Sequence, residues 1–347
     1  MRLMSFFIRT AALTAAGLAV AAGPAAGDPV ADFYRGKQVS MVVGAPAGGG
    51  YGLNARIIAR HMARHIPGNP TIVPRFMAGG GGVPAANYMY NAAPKDGSTI
   101  GMPIASIPLS QVLLATKSVK FDAAKFAWIG NVASFTNVLA VWHTAPAKTV
   151  GDATRTELVI GASGKGSFLY YEPALMNALL GTKFRLVLGY KGSSDLNLAL
   201  ERGEVQGRHF PWASLKGSNP HWIRDGLVVP LLQVGPHKDP DLPNVPSFID
   251  LVRTDKHRRM VSLLHVNTKI ARSVYAPPGV PKDRVAALRA ALAATVKDPA
   301  FLADMKKSKQ PVVPLSGEAL QAFIASVIDT PPELIGEMRA AIGFAAN

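Results

Sequence analysis

Residues 38–43, Gln-Val-Ser-Met-Val-Val, are a short apolar run of the kind that forms a buried strand. The period then changes. Leu53, Ile57, Ile58, Met62 and Ile66 recur at helical spacing, with Arg56, Arg60 and Arg64 on another face. Between strand and helix lies Gly44-Ala45-Pro46-Ala47-Gly48-Gly49-Gly50-Tyr51-Gly52. After the turn Pro67-Gly68-Asn69-Pro70, the pattern predicts a strand at 71–73, the glycine loop 79–82, a helix at 83–93 and a strand at 98–104. Further on it predicts strands at 158–160, 184–188, 205–210 and 227–234. Helices are expected through Leu180, at 195–202, 282–296 and 317–328. Alternation of strands and helices with glycine loops at strand ends describes two α/β units facing one another across a cleft. The runs 131–142 and 261–275 read as the connecting strands.

The N-terminus changes the picture. Arg2 and Arg9 flank a positive region, 11–22 is small and apolar, and Ala25-Ala26-Gly27 offers a peptidase cut before Asp28. This predicts a signal peptide, 1–27, and an exported protein. An uncleaved anchor is the rival reading. Loss of Arg2 and Arg9 would lower the net charge from +15 to +13. The basic residues are scattered and export argues against nucleic acid, so an anionic small molecule suits the charge better. Lys256-His257-Arg258-Arg259 reads as a solvated basic turn. The chain has no cysteine, which excludes disulfides and thiol chemistry.

Several motifs fail when their chemistry is tested. Gly50-Tyr51-Gly52-Leu53-Asn54-Ala55 has dinucleotide spacing, but no carboxylate stands near 71–76 for a ribose. Gly161 to Ser167 has phosphate-loop spacing with Ser167 in place of the lysine. Ser163 lacks the final glycine of a hydrolase elbow, although an esterase using it is a second reading. His61 and His65 lie one helical turn apart without a neighbouring acid, which predicts a solvated face and no metal site. No cofactor is implied. What remains is a helix that opens on glycine and offers backbone N–H groups to an anion.

Six motifs in order carry a resemblance. They are Gly36-Lys37-Gln38-Val39 leading to Ala47-Gly48-Gly49-Gly50, Ala92-Ala93-Pro94-Lys95-Asp96-Gly97, and Gly161-Ala162-Ser163-Gly164. Gly189-Tyr190-Lys191-Gly192, Asp241-Leu242-Pro243-Asn244-Val245-Pro246 and Ala276-Pro277-Pro278-Gly279-Val280-Pro281 follow. Together they resemble the extracytoplasmic solute-binding proteins of tripartite tricarboxylate transporters, the Bug family. The resemblance implies an α/β type II periplasmic binding protein fold, two lobes with a ligand cleft and two crossover strands. Lobe 1 is expected at 29–134 and 262–347, lobe 2 at 135–261. It also implies a periplasmic, monomeric, non-catalytic receptor that binds no nucleic acid. The receptor would deliver a small organic anion, a carboxylate, to a two-subunit integral membrane permease. A sensor role is the other open reading.

The expected ligand-binding residues from lobe 1 are Ala47, Gly48, Gly49, Gly50, Tyr51, Gly79, Gly80, Gly81 and Ser106. From lobe 2 they are Ser163, Gly164, Ser167, Tyr190, Gly192, Ser193 and His209. Two departures from the family pattern bear on the ligand. Tyr51-Gly52 stands where many relatives carry an acid, and His209-Phe210-Pro211 replaces a Phe-Asp pair. Both departures make the expected cleft more positive.

Overall fold

The structure, a computed structural model, describes residues 28–114 and 116–344. The expected signal peptide, 1–27, lies outside the described residues. The strands run β1 (Gln38–Val43), β2 (Thr71–Phe76), β3 (Thr99–Met102), β4 (Ala127–Asn131), β5 (Asn137–Trp142), β6 (Leu158–Gly161), β7 (Phe184–Val187), β8 (Gly207–Pro211), β9 (Val228–Val234), β10 (Ser273–Ala276) and β11 (Leu315–Ser316). They form two sheets, ordered β11-β4-β10-β3-β1-β2 and β7-β6-β8-β5-β9. Each sheet is packed with helices, so the architecture is two α/β lobes.

In the first sheet β1 lies between β2 and β3 and is parallel to both. A parallel strand covered on both faces needs a near-continuous apolar run, which 39–43 provides. β2 continues past the expected 71–73 to Phe76 and includes Pro74. Proline is tolerated there because β2 is the edge of the sheet. In the second sheet β5 lies between β8 and β9 and is antiparallel to both, while β6 is parallel to β7 and β8.

The chain crosses between sheets at residues 132–136 and again at 270–272, between the helix Asp255–Lys269 and β10. The two crossings are bonded side by side. Val132 N–H donates to the Arg272 carbonyl and Phe135 N–H to that of Thr268, both at 3.0 Å. Asn131 ties them further: its Oδ1 accepts the Arg272 N–H and its amide reaches the Lys269 carbonyl.

Three sequence expectations need correction here. Residues 261–275 are not one connecting strand, because the helix Asp255–Lys269 occupies their first half. The basic cluster 256–259 is the opening of that helix and not a turn. Thr254 caps it, and Met260, Val261, Leu264 and Val266 bury an apolar stripe that period-two reading hides. Nor is His61 solvated. It is 4% exposed, with Nε2 2.8 Å from Asp304 Oδ2, while His65 meets Asp298. The acids that partner these histidines lie more than 230 residues away in sequence, so local reading cannot see them.

Candidate functional site

The loop after β1 feeds the helix Gly49–Met62, whose N-cap, Gly48, makes no side-chain cap hydrogen bond. The first N–H groups of that helix are therefore open, with the positive end of its dipole behind them. Gly49 has φ +78°, a conformation that favours glycine. A β-carbon on Gly52 would run into the Ala47 carbonyl, so glycine there lets the loop fold tightly back over the helix. Tyr51 Oη accepts the Ala105 N–H and fixes this loop to the segment after β3.

The second glycine loop has φ values of +111°, +55°, +67° and +86° from Gly79 to Gly82. Four successive left-handed residues strongly favour glycine. This loop meets the other lobe backbone to backbone, since a β-carbon on Gly81 would lie 2.6 Å from the carbonyl carbon of Gly166. The Gly166 carbonyl also accepts from Ser106 Oγ at 3.1 Å and Ser110 Oγ at 2.7 Å. Gly192 packs against the ring of Pro46, where a β-carbon would come within 2.7 Å. The lobes are shut on each other.

Between them remains a cavity of about 50 Å³, a few times the ~10–15 Å³ that one water needs. Three helix N-termini border it: Gly49–Met62, Phe168–Leu180, capped by Ser167, and Ser193–Glu201, whose N-cap Gly192 also makes no side-chain cap bond. The cavity wall contains no Asp or Glu; its charged residues are Lys191 and Arg272.

Arg272 is 1% exposed. Its guanidinium lies between the rings of Tyr51, at 4.1 Å, and Phe135, at 4.5 Å. It donates to Ser214 Oγ at 2.9 Å and to the Ala271 carbonyl at 2.7 Å, while Nε–H has no partner among the described residues. Burial lowers it to about 10, so it stays charged at neutral pH. Arg208 is likewise 1% exposed and is lowered by burial to about 9. Its partners are the Ser193 carbonyl and hydroxyl, Asn197 Oδ1 and the His209 carbonyl. Among the described residues neither arginine has a carboxylate partner. A buried cation with only neutral acceptors is costly, and an anion beside it would relieve the cost.

Of the expected residues, the structure brings Gly48, Gly50, Tyr51, Gly79, Gly81, Ser163, Ser167, Gly192 and Ser193 to the cavity wall. Ala47, Gly49, Gly80, Ser106, Gly164 and Tyr190 do not line it. Ala47 accepts from Arg56, Ser106 holds Gly166, and Gly80 backs onto Gly164. His209 is also absent from the wall. It is fully buried with Nδ1 2.7 Å from Glu172 Oε2, near enough to pair though out of line for a well-formed hydrogen bond. Successive strand residues face opposite sides. On β8, His209 faces the helix Phe168–Leu180, and Arg208 faces Ser193 beside the cleft. Neither of them lines the cavity. Sequence reading missed Arg272, Ser214 and Lys191. The one signal for Arg272 was a lone charge inside the apolar run 270–276.

Among the described residues no group of three or more His, Asp or Glu side chains is placed to hold a metal, and no helix is long and apolar enough to cross a membrane. Comparison with known proteins adds the family. The chain is 27% identical over 258 residues to the UPF0065 protein in gbd 5'region of Cupriavidus necator, covering 71% of this chain and 73% of that one. It superposes on the periplasmic binding protein BugD with a TM-score of 0.71 at 20% identity, over 89% of this chain and 98% of that one. With MatC of Rhodopseudomonas palustris, solved with bound malate, the TM-score is 0.69 at 21% identity, over 86% and 99%. Residues 54–339 match the model of the tripartite tricarboxylate transporter family receptor, TctC. The chain therefore belongs to that family of substrate-binding receptors, which are not enzymes.

Proposed function

We propose that this receptor captures a small carboxylate in the closed cleft and carries it, as a periplasmic monomer, to a two-subunit integral membrane permease. In this reading export follows cleavage near Gly27, and the lobes 29–134 with 262–347 and 135–261 close about the paired crossings. The observation that carries the reading is Arg272: a buried, charged guanidinium without a carboxylate partner among the described residues, in a cavity whose wall has no acid and is bordered by three helix N-termini. Malate in the structural relative MatC is in keeping with it. Charge-assisted hydrogen bonds to a carboxylate are worth roughly 1.5–3 kcal/mol each, so a few suffice to hold a small anion in a dry cleft. The hydrolase reading of Ser163 loses ground, because no histidine lines the cavity to activate that hydroxyl.

Isothermal titration with malate, citrate, benzoate and the neutral diamide of malate tests the reading. At least one carboxylate should bind with a 1:1 stoichiometry, and the diamide should not. If the diamide binds best, or no carboxylate binds, the reading fails. Loss of carboxylate uptake on deleting the permease would separate transport from sensing.

A further inference from the structure

A second concavity lies behind the cleft, on the other side of the crossings. It is an open groove of about 1050 Å³ lined by the first crossing at 134–136, the end of the helix Asp255–Lys269 that leads into the second, the helix Trp212–Ser218, the loop after β9 and residues 302–315. Five lysines surround it: Lys216, Lys238, Lys269, Lys306 and Lys309. They face two acids, Asp239 and Asp241, and Asp241 is already paired with Lys216. Lys238, Lys306 and Lys309 have no ion pair among the described residues. Between these charges the surface is apolar, with Leu302 40% and Val313 49% exposed. Lys309 holds φ +53°, the left-handed position after the helix Pro299–Lys307 that glycine would occupy with less strain.

The groove shares a wall with the ligand cavity. Phe135, in its lining, stacks on Arg272. Gln310, also in the lining, accepts from Asn54 at 3.1 Å and donates to the Ala213 carbonyl at 2.9 Å. Asn54 in turn donates to the carbonyl of Gly50 in the first glycine loop. Because the crossings lie between cleft and groove, rotation that parts the lobes in front must narrow the groove behind.

We propose that this groove docks an acidic, apolar-studded polypeptide segment of the partner that receives the ligand, and that it grips the shut receptor in preference to the open one. This rests on the receptor reading above. A polypeptide fits better than a small molecule. The groove is open and at the upper end of the ~300–1,000 Å³ of small-ligand pockets, which normally bury most of their ligand. Lysines spread along a rim with apolar surface between them match carboxylates spaced along a chain.

The probe is a fluorescein-labelled peptide of alternating Glu and Leu, followed by anisotropy, with a Lys–Leu peptide as control. To fix the state without any carboxylate, Gly48→Cys/Ser194→Cys joins the lobes. The β-carbon of residue 48 would lie 3.4 Å from that of Ser194, close to disulfide span, in a chain with no other cysteine. The oxidised, shut protein should bind the Glu–Leu peptide about tenfold more tightly than the reduced protein. Lys238→Glu/Lys306→Glu/Lys309→Glu should weaken it by about tenfold, with malate titration unchanged. Equal affinity of oxidised and reduced forms, equal affinity of the charge variant, or binding of the Lys–Leu peptide would overturn the proposal. So would capture by phosphatidylglycerol vesicles in place of the peptide. Failure of malate to bind would strike only the carboxylate reading, since the disulfide comparison contains no ligand.

Discussion

Arg272 and His209 are both buried basic side chains, and they solve burial in opposite ways. His209 has its counter-group built in, Glu172, whose other oxygen accepts from Asn137 at 2.9 Å. Arg272 has hydroxyl and carbonyl acceptors, two aromatic faces and an open cavity. A carboxylate supplied by the chain beside its basic partner does structural work, whereas a charge left without one marks where a ligand belongs. His265 shows a third solution. Its Nε2 has no hydrogen-bond partner among the described residues, yet burial lowers its pKa to about 4, so it is neutral at pH 7 and needs no anion. Arginine cannot escape that way at neutral pH.

Substitutions can break this comparison. The largest effect should come from Glu172→Leu, which strands His209 and Asn137 in a dry interior. It should lower unfolding free energy by ~3–5 kcal/mol in urea titrations, with much of the loss recovered by Glu172→Leu/His209→Leu. If the single variant is as stable as the parent, the pair is not structural. Arg272→Met should do the reverse. Apo stability should change by no more than about 1 kcal/mol, because an uncompensated buried charge has been removed along with its packing. Carboxylate affinity measured by calorimetry should fall by at least ~2 kcal/mol, about thirtyfold in Kd. A variant that binds malate normally would remove Arg272 from the site.

His265 gives the smallest effect and a pH signature. Its folded pKa lies below the ordinary value of 6.5, so on acidification the unfolded chain takes up the proton first. Its contribution should be fully present above pH 6.5, fall away between 6.5 and about 4, and level off below. His265→Gln should flatten that window in melting curves recorded across pH. An unchanged slope would mean that other groups carry the acid dependence.

Much of the fold could be read from the chain because it is written locally. The apolar run at 39–43, the helical spacing of Leu53, Ile57 and Met62, and the positive-φ glycines at 79–82 each record a nearby backbone need. The helix Asp255–Lys269 was hidden because its basic opening masks a stripe that only burial makes evident. The cleft was readable at its backbone elements, Gly48, Gly50, Gly81 and Gly192, where a close approach excludes a β-carbon. The hydroxyl side chains Tyr51, Ser163, Ser167 and Ser193 were also named from sequence, but the charged wall residues Lys191 and Arg272 were not.

The sequence by itself determined the alternation of strands and helices, the glycine loops at strand ends, the positive charge and the absence of cysteine. Each is a property of neighbouring residues or of composition, so no long-range contact is needed to read it. Only the tertiary structure decided which buried charges would be answered. It put Glu172 opposite His209, Asp304 opposite His61, and nothing acidic opposite Arg272. A charge's partner is chosen by distance in space: Glu172 and His209 lie 37 residues apart in the chain, and His61 and Asp304 lie 243 apart.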